Sequence, residues 1–211
     1  MKPYLYLLII GLALISCNQN KEQANKQDVK TDTTIAVVNK GDIDFNSYFT
    51  EKIMRLDFFH TGNSKQEMFS VDKVLSDGTW GGSKKILIDK LELGPYFFEV
   101  IDKETHTLLY SRGFANVFGE WQTTPEADKQ WGTFHESIRF PWPLKPVTVI
   151  IKKRDTQNQF KQIWFTDIDP SYRQVNPSDI IHSEKVDVIL ENGPAQEKLD
   201  IVILGDGYSA K

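Results

Sequence analysis

The chain has 211 residues, 40% apolar and 12% aromatic, enough for one core of ordinary size plus extensions. Its formal charge of −4, with no block of basic residues, excludes an electrostatic footprint for nucleic acid. The single cysteine, Cys17, excludes an internal disulfide, and His60, His106, His135 and His182 are scattered without metal-ligand spacing.

Met1–Cys17 reads MKPYLYLLIIGLALISC. Lys2 is the positive n-region, and Leu5–Ile15 is an apolar run broken only by Gly11, shorter than the ~20 residues a membrane-spanning helix needs. Leu14-Ile15-Ser16-Cys17 resembles the bacterial lipobox, with an apolar residue three before the cysteine and a small one just before it. The resemblance implies a signal peptide over residues 1–17, lipidation of Cys17, and attachment to the bacterial cell envelope at the outer membrane or cell surface. An ordinary cleaved signal or an uncleaved anchor helix would leave the position of the only cysteine to chance. Asn18–Thr34 is polar and too poor in apolar residues to offset its ordering entropy, so it is expected to be a flexible tether spanning roughly 20–25 Å.

From Ile35 the pattern is that of short strands. Met54, Leu56 and Phe58 alternate with Arg55 and Asp57, and Phe69 and Val71 begin a second run. Ser76-Asp77-Gly78 and Gly81-Gly82 are turn signals, and Lys85–Asp89 reads as a short strand. Tyr96–Asp102, Leu108–Arg112, Thr133–Phe140, Val147–Lys152 and Phe160–Thr166 follow as strands, with a helix expected only at Pro125–Gln130. Seven or eight strands with turn signals predict an all-β fold, an immunoglobulin-like β-sandwich over residues 35–169, with a small barrel as the alternative. Residues 170–198, polar and interrupted by prolines, are expected to be a connector that carries one strand at Val186–Leu190. Asp200–Leu204 is continuously aliphatic, as in a strand buried on both faces, and Gly205-Asp206-Gly207 then turns. Residues 199–211 therefore read as the first strand of a truncated α/β domain.

One stretch is more specific than the rest. Tyr110–Pro143 carries YSRGF, F-x-EWQTT-x-EA and TFHES-x-RFPWP, and LDIVILGDGY follows at Leu199–Tyr208. In this order the segments resemble the N-terminal domain of the IgA-peptidase family of secreted zinc metallopeptidases, metallopeptidase family sixty-four, from about Met54 to Pro170. The resemblance implies an accessory domain ahead of a catalytic domain. In that family zinc is held by a later HExxH segment, so zinc is expected in the catalytic domain and no metal or catalytic residue transfers to this sequence. The partners implied are the membrane through the lipid, the chain's own C-terminal catalytic domain, and a protein substrate of the full-length enzyme. Nucleic acid is not among them.

His135-Glu136 is half of a zincin motif, but the fifth position is Arg139, and a period of two puts His135 and Arg139 opposite Phe134 and Phe140. The long connection before it carries Trp121 and Trp131, with Arg112 and Arg139 near its ends. These four are the candidate binding residues. Aromatics most often supply core area, so the expectation is that both indoles pack and that the arginines pair inside the aromatic region. The alternative function is a free-standing envelope lipoprotein binding glycan or protein through this connection. Gly205–Tyr208 lacks the lysine and spacing of a phosphate loop, and Ser209 has no recognisable base.

The leader generates a direct test. Metabolic labelling with a palmitate analogue is expected to mark the chain through Cys17, and a Cys17→Ser variant is expected to lose the label. Undiminished labelling of that variant would refute the assignment.

Overall fold

The computed structural model describes residues 34–39, 41–179, 188–194, 198 and 201. Cys17, the signal peptide and all of the expected tether but Thr34 lie outside them. The elements are α1 (Phe45–Tyr48), β1 (Phe49–Gly62), β2 (Glu67–Thr79), β3 (Tyr96–Asp102), β4 (Leu108–Phe114), α2 (Val117–Trp121), β5 (Gly132–Pro143), β6 (Val147–Arg154), β7 (Phe160–Ile168) and β8 (Val175–Asp179). Two four-stranded sheets form, one in the order β5-β1-β2-β8 and the other in the order β4-β3-β6-β7. All pairs are antiparallel except β2–β8. This is the all-β sandwich that the strand pattern predicts.

The first sheet follows the period-two rule. Met54, Leu56, Phe58 and His60 of β1 are fully buried and face inward, and Ile138 and Phe140 of β5 do the same. They meet Phe98 and Val100 of β3 and Val147, Val149 and Ile151 of β6 in one core. β5 runs through Pro141 and Pro143, which pair with Ile53 and Phe49 of β1. Proline is tolerated there because β5 is an edge strand and its missing donor faces away from the ladder.

The second sheet departs from that rule for a physical reason. Every residue of β3 is buried, as are Val147–Ile151 of β6. The outer face of this sheet is covered by residues 34–39, whose Val38 bridges Thr107, and a small outer cluster joins Ile35, Val37 and Ile88 to Ile101, Leu108, Ile150 and Phe165. A sheet covered on both sides needs apolar residues on both faces.

Four expectations are corrected. Lys85–Asp89 is not a strand but part of a loop tied to β4, where Ser111 N donates to Leu87 O (3.0 Å) and Gly113 N to the Asp89 carboxylate (2.8 Å). Ser76-Asp77-Gly78 is not a turn; β2 runs straight through it, with Gly78 at φ +91°. Pro125–Gln130 forms turns, and the helix lies earlier, at Val117–Trp121, because Asn116 caps it. Val188–Leu190, the described part of an expected strand, is exposed and forms no strand with the described residues. Strand pairing instead continues past residue 169 through β8, where Val175 sits beside Val74. Of the aliphatic run at 200–204, only Ile201 is described.

Phe58 and Phe140 are both fully buried in the central core. Replacing either by alanine is expected to cost about 3–5 kcal/mol in urea denaturation. Val71→Ala, at a half-exposed position of β2, is expected to change stability by less than about 0.5 kcal/mol.

Candidate functional site

The long connection between β4 and β5 is fastened to the sandwich at its start, through α2, and again at Ala127, whose carbonyl accepts from Ser64 N at 3.1 Å. Asn116 is the N-cap of α2, and its side-chain oxygen accepts from Gly119 N at 2.9 Å. One turn of helix then drops Phe118, fully buried, onto the His60 imidazole, with ring centroids 3.7 Å apart. Phe69 of β2 stacks on the other face at 4.0 Å. His60 is therefore enclosed between two phenyl rings, and only its edges remain for polar contacts.

Both edges meet carboxylates. His60 Nδ1 lies 3.2 Å from Glu136 Oε2 and Nε2 lies 3.0 Å from Glu67 Oε2. Glu136 also accepts from Asn116 Nδ2 (2.6 Å) and from Phe118 N (3.0 Å), so it holds the start of α2 directly. Glu67 accepts from the Tyr96 hydroxyl (2.9 Å) and from Lys153 Nζ. Lys153 donates onward to Gln122 Oε1 (2.6 Å), and Gln122 Nε2 donates to Asn63 O (2.8 Å). The cluster draws on β1, β2 and β5 of one sheet, β3 and β6 of the other, and α2 and the residue after it. It joins both sheets to the connection.

Burial works against a charged Glu67, but the hydrogen bonds from His60, Lys153 and Tyr96 outweigh it and hold the carboxyl below its usual value of 4.5. The same surroundings push the Tyr96 hydroxyl far up, through burial first and the Glu67 charge second, so it acts as a donor. The arrangement stores charge and hydrogen bonds at a junction. No pair in it has the form of a nucleophile beside a free base.

The four candidate binding residues do not come together. Trp121 is half-buried against Phe134 (5.4 Å) and Phe118 (5.8 Å), and Gly132 leaves room for its ring, since a Cβ there would lie 2.8 Å from the indole. Trp131, expected to pack, is instead 48% exposed, because it falls in the polar turn just before β5 begins. Arg112 does not pair with a carboxylate in the aromatic region. Its guanidinium donates to Ser111 O (3.0 Å) and Ile86 O (2.9 Å) and lies over the Tyr110 ring. Arg139 is half-exposed on the outer face of the first sheet, where Nε donates to Asp77 at 2.6 Å. The period of two accounts for that placement, since Phe140 points inward and Arg139 outward.

The same alternation splits His135 from Glu136. Glu136 faces His60, whereas His135 faces outward to Asp72 (3.1 Å). Among the described residues, Asp57, Asp72 and His135 are the one group with ligand atoms close enough for a metal. They do not fit one. Arg55 takes both Asp57 oxygens, at 2.9 and 3.1 Å, and Lys73 Nζ lies 3.8 Å from Asp57 and 3.6 Å from Asp72, where a cation would stand.

Sequence reasoning did not single out His60, Glu67, Lys153 or Asn116. A clue existed in β1, where His60 continues the inward series Met54, Leu56, Phe58 and so had to be buried. The other members of the cluster come from five further segments, and no spacing connects them.

A family described as Peptidase M64 N-terminus matches residues 44–165, more than half of the chain. The chain belongs to the Peptidase M64 N-terminus family. The matched span begins at the Asp44 cap of α1 and ends within β7, so it takes in seven of the eight strands, all but the end of β7, and the pinned connection lies in its interior. This M64 N-terminal domain matches no curated protein.

Two outcomes are expected. Trp121→Ala should cost about 2 kcal/mol, and Trp131→Ala less than about 0.5 kcal/mol, in denaturant melts. Because Glu67 has a depressed value in the folded state, its contribution is complete above pH 4.5 and is lost as pH falls through the folded value. Urea midpoints should therefore drop in acid below about pH 4.5, and Glu67→Gln should flatten that part of the profile.

Proposed function

We propose that this M64 N-terminal domain is a lipid-anchored accessory platform that positions a zinc peptidase domain of the same polypeptide at the bacterial envelope. The observation that carries the reading is the family match from Asp44 to Phe165, which spans β1 to β6 and most of β7 of the sandwich. Two features support a platform. The buried cluster around His60 makes the sandwich and its longest connection one rigid piece, and β8 ties the outgoing chain to the first sheet through β2. Lys52 Nζ donates to Pro177 O at 3.3 Å and adds a second tie at the same exit.

In this reading the chemistry belongs to the peptidase domain, and the sandwich contributes orientation. Orientation matters most for a bulky substrate that must reach the cleft past the platform.

The test uses the complete gene product supplied with zinc. Phe58→Ala, which loosens the sandwich core, is expected to lower kcat/KM toward a folded protein by about tenfold and to leave a short peptide cleaved near the parent rate. Equal rates on both substrates with parent and variant would overturn the positioning role. The purified 211-residue chain is expected to show no zinc-dependent cleavage of casein. Cleavage that disappears in His135→Ala would contradict the division of labour.

A further inference from the structure

The loop between β2 and β3 exposes aliphatic residues that its own construction could have hidden. Ile86 is 67% exposed, Leu91 76% and Leu93 67%, whereas the intervening Leu87 is 2% exposed. Loose chain does not explain the contrast. Lys85 N and Ile86 N donate to Ser83 Oγ (3.1 and 2.9 Å), Asp89 N to Ser111 Oγ (2.9 Å), and Leu91 N to Asp89 Oδ1 (2.8 Å). The Arg112 guanidinium holds the Ile86 carbonyl, and the Arg154 guanidinium holds the carbonyls of Glu92 and Gly94. Gly113 has no room for a Cβ because Leu93 O sits against it. The loop backbone is clamped to β4 and β6 with Ile86, Leu91 and Leu93 turned outward.

The loop also meets the incoming chain. Ile86, Leu87, Ile88 and Leu91 line a groove of about 810 Å³ whose other wall is Asn39, Gly41, Asp42 and Ile43. Lys85 and Lys90 are exposed beside these aliphatics, and Asp89 is turned away into backbone N–H groups of Leu91, Glu92 and Gly113. Clamped aliphatics flanked by lysines suit the boundary between acyl chains and phosphate groups, where the stems enter and the ammonium groups stay at the phosphates. Residues 18–38 separate Cys17 from this wall, so a lipid at Cys17 would tether the loop to the bilayer by a chain of that length.

We propose that the loop at residues 81–95 is a membrane-contact surface that sets Ile86, Leu91 and Leu93 into the headgroup layer of a phospholipid bilayer, with Lys90 at the phosphates. This rests on the lipid-anchor reading of Cys17. Together the lipid and the loop give two attachments, which fix the orientation of the platform as a lipid alone does not.

Cys17 is the chain's single cysteine, and acylation removes its thiol, so one new cysteine takes a fluorescent label uniquely. The full chain is made in a host that lipidates it and is reconstituted in phosphatidylethanolamine–phosphatidylglycerol vesicles. The label is placed at Leu91→Cys or, as control, at Ser137→Cys, an exposed site on the other sheet. Lipid-borne nitroxide is expected to quench the label at position 91 severalfold more than the one at position 137, and Ile86→Ser/Leu93→Ser should reduce that difference. Equal, weak quenching in a chain that floats with the vesicles overturns the surface and leaves the anchor standing. Protection of position 91 from aqueous quencher without lipid-borne quenching also overturns it and assigns the loop to a protein contact. A chain that does not float and whose Cys17 is unmodified by mass spectrometry overturns both the anchor and the surface.

Discussion

The His60 imidazole, closed between two phenyl rings and two carboxylates, is the constraint on which the rest of the sandwich depends. Burying a polar ring is costly unless each polar atom finds a partner. Here the partners are spread across both sheets and the connection, so satisfying one ring fixes β1, β2, β5 and α2 together. Lys153 and Tyr96 extend the same condition to β6 and β3 by holding Glu67. A half-satisfied cluster would be worse than an apolar one, and this favours a single arrangement of the connection over many.

The two sheets present different outer faces. That of the second sheet is closed by residues 34–39 and by the clamped loop before β3, so Ile101, Leu108 and Ile150 are buried on its outer side as well. That of the first sheet is left open and is crossed by an ionic lattice in which Arg55 and Arg139 share Asp77 and Arg55 also holds Asp57. Asp57 is fully buried although it faces outward, because Arg55 and Lys73 lie over it. Such a lattice is weak evidence for added stability, but it keeps a broad sheet face soluble without a helix to cover it.

These differences also separate the two ends of the described sandwich. The chain enters along the covered face, beside the loop that exposes Ile86, Leu91 and Leu93, and leaves through β8 at the edge of the other sheet. Residues 34–39 and β8 thus lie on different sheets. The His60 cluster joins the two sheets through Glu67, Tyr96 and Lys153.

Local pattern determined much of this protein. The alternation of Met54, Leu56 and Phe58, the apolar runs of β3, β6 and β7, and the family segments in Tyr110–Pro143 were enough for an all-β sandwich and for the family, because period two and residue order are properties of the chain itself. Period two by itself also puts Arg139 and Phe140 on opposite faces of their strand. Other features were decided only in three dimensions. A clamp from β4 turned Lys85–Asp89 into a loop, and the Asn116 cap moved the helix from Pro125–Gln130 to Val117–Trp121. Trp121 and Trp131 read alike in sequence, yet only Trp121 found Phe134 and Gly132 to lie against. The His60 cluster was the least legible feature, because its members are brought together by strand register and sheet packing, and neither leaves a spacing in the sequence.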